Sequence, residues 1–244
     1  MSRRNDWYRA LLRLAAGLAC LCAAMASAAP PLHVVSDDNY PPYLFRDETG
    51  QVQGYLVDLW QLWQRKTGIE VRLTATNWAS AQRMLADGQA DVIDTIFRTP
   101  PREALYDFSA PYADLPVAIY HHATVGGISG PATLKGFQIG VQDGDACIDQ
   151  LAENGITTLV RFPNYTALIA AAQRQEIKVF CLDEYPANFY MYKAGVQHDF
   201  LKAFELYRGQ FHHAVRKGRG DLLRQVERGM AEISADEAAA LHRK

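Results

Sequence analysis

Apolar side chains at Leu56, Leu59, Trp60 and Trp63 recur at i, i+3, i+4 and i+7, the spacing of a single helix face, and Gly68 supplies a stop. A second periodic stretch carries Ala81, Met84 and Leu85 behind Asn77, a residue suited to capping a helix, and closes at Gly88. Short apolar runs flank these helices at 32–36, 71–74 and 91–97 and read as buried strands. Between the first strand and the first helix, Asp37-Asp38-Asn39-Tyr40-Pro41-Pro42-Tyr43 is rich in turn formers and predicts a loop. The resulting order, β-α-β-α-β, is that of a parallel sheet covered by helices.

The pattern repeats after the glycine-rich stretch from Gly126 to Pro131. Strands are predicted at 137–141, 158–161 and 177–182, with a helix from Asp145 to Glu153 ended by Gly155. Asn164 caps another helix through Leu168, Ile169 and Ala172, and Pro186 suits the first turn of a further one. A strand at 211–215 precedes a helix carrying Leu222, Leu223, Val226, Met230 and Ile233, after which Ser234 and Glu237 form a capping box. Two α/β units without a cofactor fingerprint predict two lobes around a cleft. In open sheets of this kind, ligands sit beyond the carboxyl ends of the strands.

The first residues stand apart. Arg3, Arg4, Arg9 and Arg13 precede an apolar run over 14–26 that ends in Ala26-Ser27-Ala28, which predicts a secretory signal peptide over 1–28. The run is short for a membrane span, which makes an amino-terminal anchor the lesser alternative. Cys20 and Cys22 belong to that segment, leaving Cys147 and Cys181; in an exported chain such a pair predicts a disulfide rather than a metal site or catalytic thiol. Hydrophobic residues make up 49% of the 244 residues and the formal net charge is −2, so a globular core is affordable and the basic footprint of a nucleic-acid binder is missing. No CxxC, HExxH or GxSxG motif occurs, and no cofactor, metal or catalytic group is expected. His121-His122 and His212-His213 lie on predicted strands that could be neighbours near a lobe crossover. Adjacent strand residues face opposite ways, so ordinary histidines are the reading adopted.

Six segments, in order, resemble the family 3 bacterial solute-binding proteins, the Venus-flytrap receptors for polar amino acids. They are Asp37-Asp38-Asn39-Tyr40-Pro41-Pro42, Gly54-Tyr55-Leu56-Val57-Asp58-Leu59, Asp91-Val92-Ile93 with Arg102, Asp107-Phe108-Ser109-Ala110-Pro111-Tyr112, Gly140-Val141-Gln142-Asp143-Gly144 and Cys181-Leu182-Asp183-Glu184. The resemblance implies a periplasmic-binding-protein type II-like α/β fold, with two lobes around a ligand cleft joined by two crossover segments. It divides the chain into lobe 1 (32–117), lobe 2 (118–209) and a return of lobe 1 (210–244). It also implies a periplasmic receptor that presents a small-molecule ligand to an ABC-transporter permease. The alternatives are the sensor module of a membrane signalling protein, such as a diguanylate cyclase or histidine kinase, and a dehydratase-like enzyme on the same fold, for which Glu184 is the one candidate acid.

A buried zwitterion needs a cation or N–H donors for its carboxylate and an anion for its ammonium. Arg102, just past a strand end, suits the carboxylate through two parallel bonds and aligns with the family's carboxylate-binding arginine. Asp183 aligns with the ammonium-binding aspartate, and Tyr40 and Trp78 with the aromatic residues of the side-chain slot. Asp37 aligns with the acidic position that faces a basic side chain, with Asp38 taking that place if the register differs by one. Thr95 is the preferred hydroxyl contact and Asp94 a further carboxylate, an excess of acid that favours an arginine-like ligand. One departure stands out: where the family has Ser or Thr after the glycine matching Gly144, this chain has Asp145 and Ala146. An aspartate there caps its own helix yet repels an incoming carboxylate unless it points away. Cys147 and Cys181 flank these segments, so their disulfide would brace both ligand-contact segments of the second lobe.

Overall fold

The computed structural model describes residues 30–241, and the signal peptide expected over 1–28 lies outside the described residues. Strand β1 (Leu32–Asp37) is buried along its whole length, as a central parallel strand must be. A three-stranded antiparallel flap follows, formed by β2 (Asn39–Tyr40), β3 (Leu44–Arg46) and β4 (Val52–Gln53). Helix α1 (Tyr55–Thr67) buries Leu56, Leu59, Trp60, Leu62 and Trp63, and Gly68 ends it at φ 70° with its N–H returned to the Gln64 carbonyl. After β5 (Val71–Thr76), Asn77 accepts the Ser80 N–H at 3.1 Å and starts α2 (Trp78–Ala86). Strand β6 (Val92–Phe97) completes a parallel group, with β1 between β5 and β6.

A short α3 (Pro100–Glu103) and β7 (Tyr106–Phe108) lead into β8 (Ala113–His122). The second parallel group then alternates β9 (Ile139–Gln142), α4 (Ala146–Glu153), β10 (Leu159–Phe162), α5 (Tyr165–Gln173), β11 (Val179–Asp183) and α6 (Glu184–Ala194). A 17-residue strand, β12 (Phe200–Arg216), precedes α7 (Gly220–Ala231) and α8 (Ala235–Leu241). Ser234 and Glu237 cap α8 reciprocally, as the sequence predicts.

One sheet runs in the order β10-β9-β11-β8-β12-β6-β1-β5, with β7 also paired to β12. Its two parallel ends are the two lobes, and the antiparallel pair β8 and β12 carries the chain between them. A large apolar core follows the sheet through both, from Trp60 and Trp63 past Phe211 and Ile119 to Phe180 and Leu168. A smaller cluster of Val35, Trp78, Leu85, Ile93 and Ile96 lies under α2.

Two expectations are corrected. The histidine pairs are not neighbours: β8 and β12 run antiparallel with Ala113 opposite Phe211 and His122 opposite Phe200, so His212-His213 and His121-His122 lie at opposite ends of the ribbon. The loop predicted over 37–43 instead contributes β2 to the flap, around a cis Pro41-Pro42 bond.

Candidate functional site

Strands β1, β6, β9 and β11 end at Asp37, Phe97, Gln142 and Asp183, and all four residues line one cavity. Within each lobe the parallel pairing of β1 with β6, and of β9 with β11, puts their carboxyl ends on one edge, and the cavity lies where those two edges face each other. Tyr40, Trp78, Thr95, Arg102, Asp145 and Tyr165 complete most of the wall. The structure brings together six of the residues singled out from the sequence, namely Asp37, Tyr40, Trp78, Thr95, Arg102 and Asp183. The enclosed space is about 20 Å³, room for about one water-sized group.

Each carboxylate is held by a neutral donor. Gln142 donates its amide to Asp37 across the cleft at 2.7 Å, and the Asn39 backbone N–H adds a second bond at 3.1 Å. The Tyr40 hydroxyl donates to Asp183 Oδ2, while Asp183 Oδ1 is buried with no partner. Asp183 occupies the N-cap position of α6 but makes no side-chain cap bond, so its carboxylate is left for the cavity. Asp145 accepts the Cys147 N–H at 2.8 Å and the Tyr165 hydroxyl at 2.9 Å. It both caps α4 and lines the cavity.

Arg102 is the one cation of this wall. Its Nη1 donates to the Phe97 carbonyl at 2.7 Å and its Nη2 to the Gly144 carbonyl at 2.8 Å, with the guanidinium 5.6 Å from the Trp78 ring centroid. Trp78 Nε1 and Gln82 Nε2 reach the same Gly144 oxygen, each at 3.0 Å. Gly144 holds φ +78°, and a Cβ there would lie 2.5 Å from Gln82 Nε2. A glycine is therefore required where the two lobes meet.

Three carboxylates facing a single guanidinium in a water-poor space resist ionisation. Burial lifts the Asp37 carboxyl to about 7, against the pull of its bonds from Gln142 and Asn39. Burial also raises Asp145, despite its Cys147 and Tyr165 bonds and the nearby Arg102 charge. Asp183 is raised well above the aspartate range by burial and then by the Asp145 charge.

The remaining candidates separate cleanly. Asp38 points outward to Arg46 at 2.9 Å, which leaves Asp37 as the cleft-facing member of the pair. Asp94 is not a cavity residue; it is fully buried within its own lobe, accepting Trp60 Nε1 at 2.7 Å, Tyr112 at 2.6 Å and the Thr95 N–H at 2.6 Å. Thr95 sits at φ +57°, an unusual place for a β-branched residue, with its hydroxyl on the Asp94 carbonyl and against Ser36. Glu184 is ion-paired to Lys202 outside the cavity. Gln142, Tyr165 and Phe97 carry no role in the sequence reading; the first two follow predicted strand ends or caps, a positional signal that could have marked them. Cys147 and Cys181 form a disulfide with Cα atoms 6.4 Å apart, tying the first turn of α4 to β11. Among the described residues, no group of three or more His, Cys, Asp or Glu is arranged to hold a metal ion, and no helix is long and apolar enough to cross a membrane.

Two α/β lobes joined by paired crossover strands, with a charged cavity at the facing strand ends, define a periplasmic-binding-protein fold. The sequence profile of the bacterial extracellular solute-binding proteins, family 3, matches residues 32–244, and the chain belongs to that family. It is 25% identical over 221 residues to the L-cystine-binding protein TcyJ of Escherichia coli (strain K12), covering 82% of this chain and 76% of that one. Among solved structures, it resembles a histidine kinase sensor domain with similarity to periplasmic binding proteins. That match has a TM-score of 0.81 at 21% identity, over 88% of this chain and 96% of the other. The holo form of ArgBP from T. maritima matches with a TM-score of 0.74 at 25% identity, over 85% and 93% of the two chains.

Proposed function

We propose that this protein is a periplasmic receptor that binds a basic amino acid reversibly between its lobes and signals by closing on it. The observation that carries the reading is the set of three carboxylates, Asp37, Asp145 and Asp183, around one arginine in a single cavity. A buried cation needs such partners. In this reading Asp183 receives the ligand's ammonium, Asp37 its side-chain cation and Arg102 its carboxylate, while Tyr40 and Trp78 cover the aliphatic stem. The Tyr40 and Gln142 donors that now bond Asp183 Oδ2 and Asp37 are exchanged for ligand N–H groups as the lobes part and close again. Lobe 1 then comprises 32–117 and 210–244 and lobe 2 comprises 118–209, with export through a signal peptide over 1–28. The names of the relatives, a cystine-binding and an arginine-binding protein among them, support an amino-acid ligand.

Delivery to an ABC-transporter permease is the first proposed use of the closed form. A second reading keeps the cleft and changes the partner to a membrane signalling protein, motivated by the fold likeness to a histidine kinase sensor domain. An in-frame apolar run of about twenty residues encoded after Lys244 would decide for the sensor. An enzymatic role finds no support, since Glu184, the candidate acid, is paired to Lys202 outside the cavity.

A thermal-shift screen of the common amino acids tests the binding reading. L-arginine, L-lysine or L-histidine should raise the midpoint, with about 2.7 kcal/mol of added stability at a hundredfold excess over Kd. Arg102→Ala and Asp183→Ala should each remove that shift while keeping a cooperative melt. Retained binding in both variants would refute the site.

A further inference from the structure

The cavity's charges are unequally matched. Arg102 is the one cation in its wall, and two of its N–H groups are already directed at backbone carbonyls, Phe97 in lobe 1 and Gly144 in lobe 2. Asp145 lines the same cavity, and its charge already acts on the guanidinium. A ligand carboxylate brought to Arg102 therefore gains one attraction and meets one repulsion.

The amino terminus of α4 offers little further help to an anion. Asp145 Oδ1 takes the Cys147 N–H, and Oδ2 is fixed by Tyr165, so the helix end is already occupied by an acidic side chain of its own. Cation-seeking capacity, by contrast, is in surplus. Asp183 is 3% exposed and lines the cavity, and its Oδ1 has no partner at all. Asp37 is 2% exposed and is satisfied by an amide and a backbone N–H, both neutral. A buried carboxylate gains most from a charged donor.

We propose that the cavity recognises a cationic amine and that an α-carboxylate on the ligand is dispensable, so that the decarboxylated forms of basic amino acids are ligands of this site. Such molecules carry two cationic ends and no acid. One end meets Asp183 and the other Asp37, while Asp145 stands against any carboxylate and sets the preference. The inference rests on the reading of this cavity as the ligand site and names the ligand's chemical class more narrowly. Asp145 is its specificity-determining residue.

The test compares matched pairs by isothermal titration and thermal shift on the purified protein: L-arginine with agmatine, and L-lysine with cadaverine. Each pair keeps the side-chain cation and differs by the carboxylate. The expected result is that agmatine or cadaverine binds at least as tightly as its parent amino acid. In Asp145→Asn the ratio should move roughly tenfold or more toward the amino acid. Asparagine caps a helix as well as aspartate, and the ligand-free melt of the variant checks its fold; Asp145→Ser serves if that melt is lost. Binding of the amino acid without its amine in the native protein overturns the proposal and leaves the basic-amino-acid reading standing. Binding of neither member of either pair overturns both.

Discussion

Asp37 carries a pH signature whose sign depends on what is measured. Its carboxyl, lifted by burial to about 7, is faced by Asp38 beside it, by Asp145, Asp183 and Gln142 across the cleft, and by Tyr165 and Tyr190. A folded value above the unfolded one means that the unfolded chain releases this proton first. The contribution of Asp37 to stability is therefore present at pH 4 and is lost as pH rises through 7. Cation binding runs the other way, because the ligand requires the ionised carboxylate. Affinity for a cationic ligand should fall about tenfold per pH unit below 7, and Asp37→Asn should weaken binding and flatten that slope in titrations between pH 5 and 8. An unchanged slope in the variant would assign the proton elsewhere.

At this same scale, the chemistry of the site was legible where a residue type is rare in its setting. Arg102 after a strand end and Asp183 at another are costly to bury without a reason, so their charge and position, together with the family resemblance, mark them. Gln142 and Tyr165 had only their position to mark them, because a glutamine or tyrosine beside a strand or cap fits a solvated surface equally well. Asp94 misled for the opposite reason. Nothing in its neighbours announces that Trp60, 34 residues away, and Tyr112 would turn it inward.

Among the elements, α1, α2 and α7 were readable because their apolar positions keep a helical period, and the central parallel strands because they are short, wholly buried apolar runs. Strand β12 is not: its first eleven residues alternate irregularly, with register shifts between Lys202 and Phe204 and between Glu205 and Tyr207. The sequence pattern therefore exposes only its regular end, 211–215. Strands of two or three residues, as in the flap, are too short to show any period. Two element-level contacts give stability tests. In α7, a Cβ at Gly229 would lie 2.2 Å from Trp63 Nε1, the donor to the Val226 carbonyl. Gly229→Ala should lower the urea unfolding free energy by about 1–3 kcal/mol, although the same change in an open helix stabilises by roughly 1 kcal/mol. Removing the disulfide with Cys147→Ser and Cys181→Ser should cost about 3–4 kcal/mol by loop entropy, read as the difference in denaturant midpoint between the double variant and the oxidised protein.

Across the whole molecule, the two lobes touch through polar groups as well as through the β8–β12 ribbon. Asn39 accepts the Thr166 N–H at 2.9 Å and donates to its hydroxyl at 2.9 Å, Asn77 donates to the Pro163 carbonyl, and Thr99 donates to Asp149 at 2.9 Å. Such bonds are individually weak against water, which suits a joint that opens in the proposed receptor. A continuous core through the ribbon would keep the halves in one molecule as these contacts form and break in the proposed receptor.

The Gly144 carbonyl, met by an indole, an amide and a guanidinium from the opposite lobe, has an optical consequence. Donors on a carbonyl oxygen weaken the C=O bond and lower its stretching frequency. A single ¹³C label on this carbonyl therefore makes one oscillator a gauge of closure: its band should move to lower wavenumber when ligand shuts the cleft and to higher wavenumber in Arg102→Ala. A band indifferent to both would mean that the three donors do not come and go with the lobes.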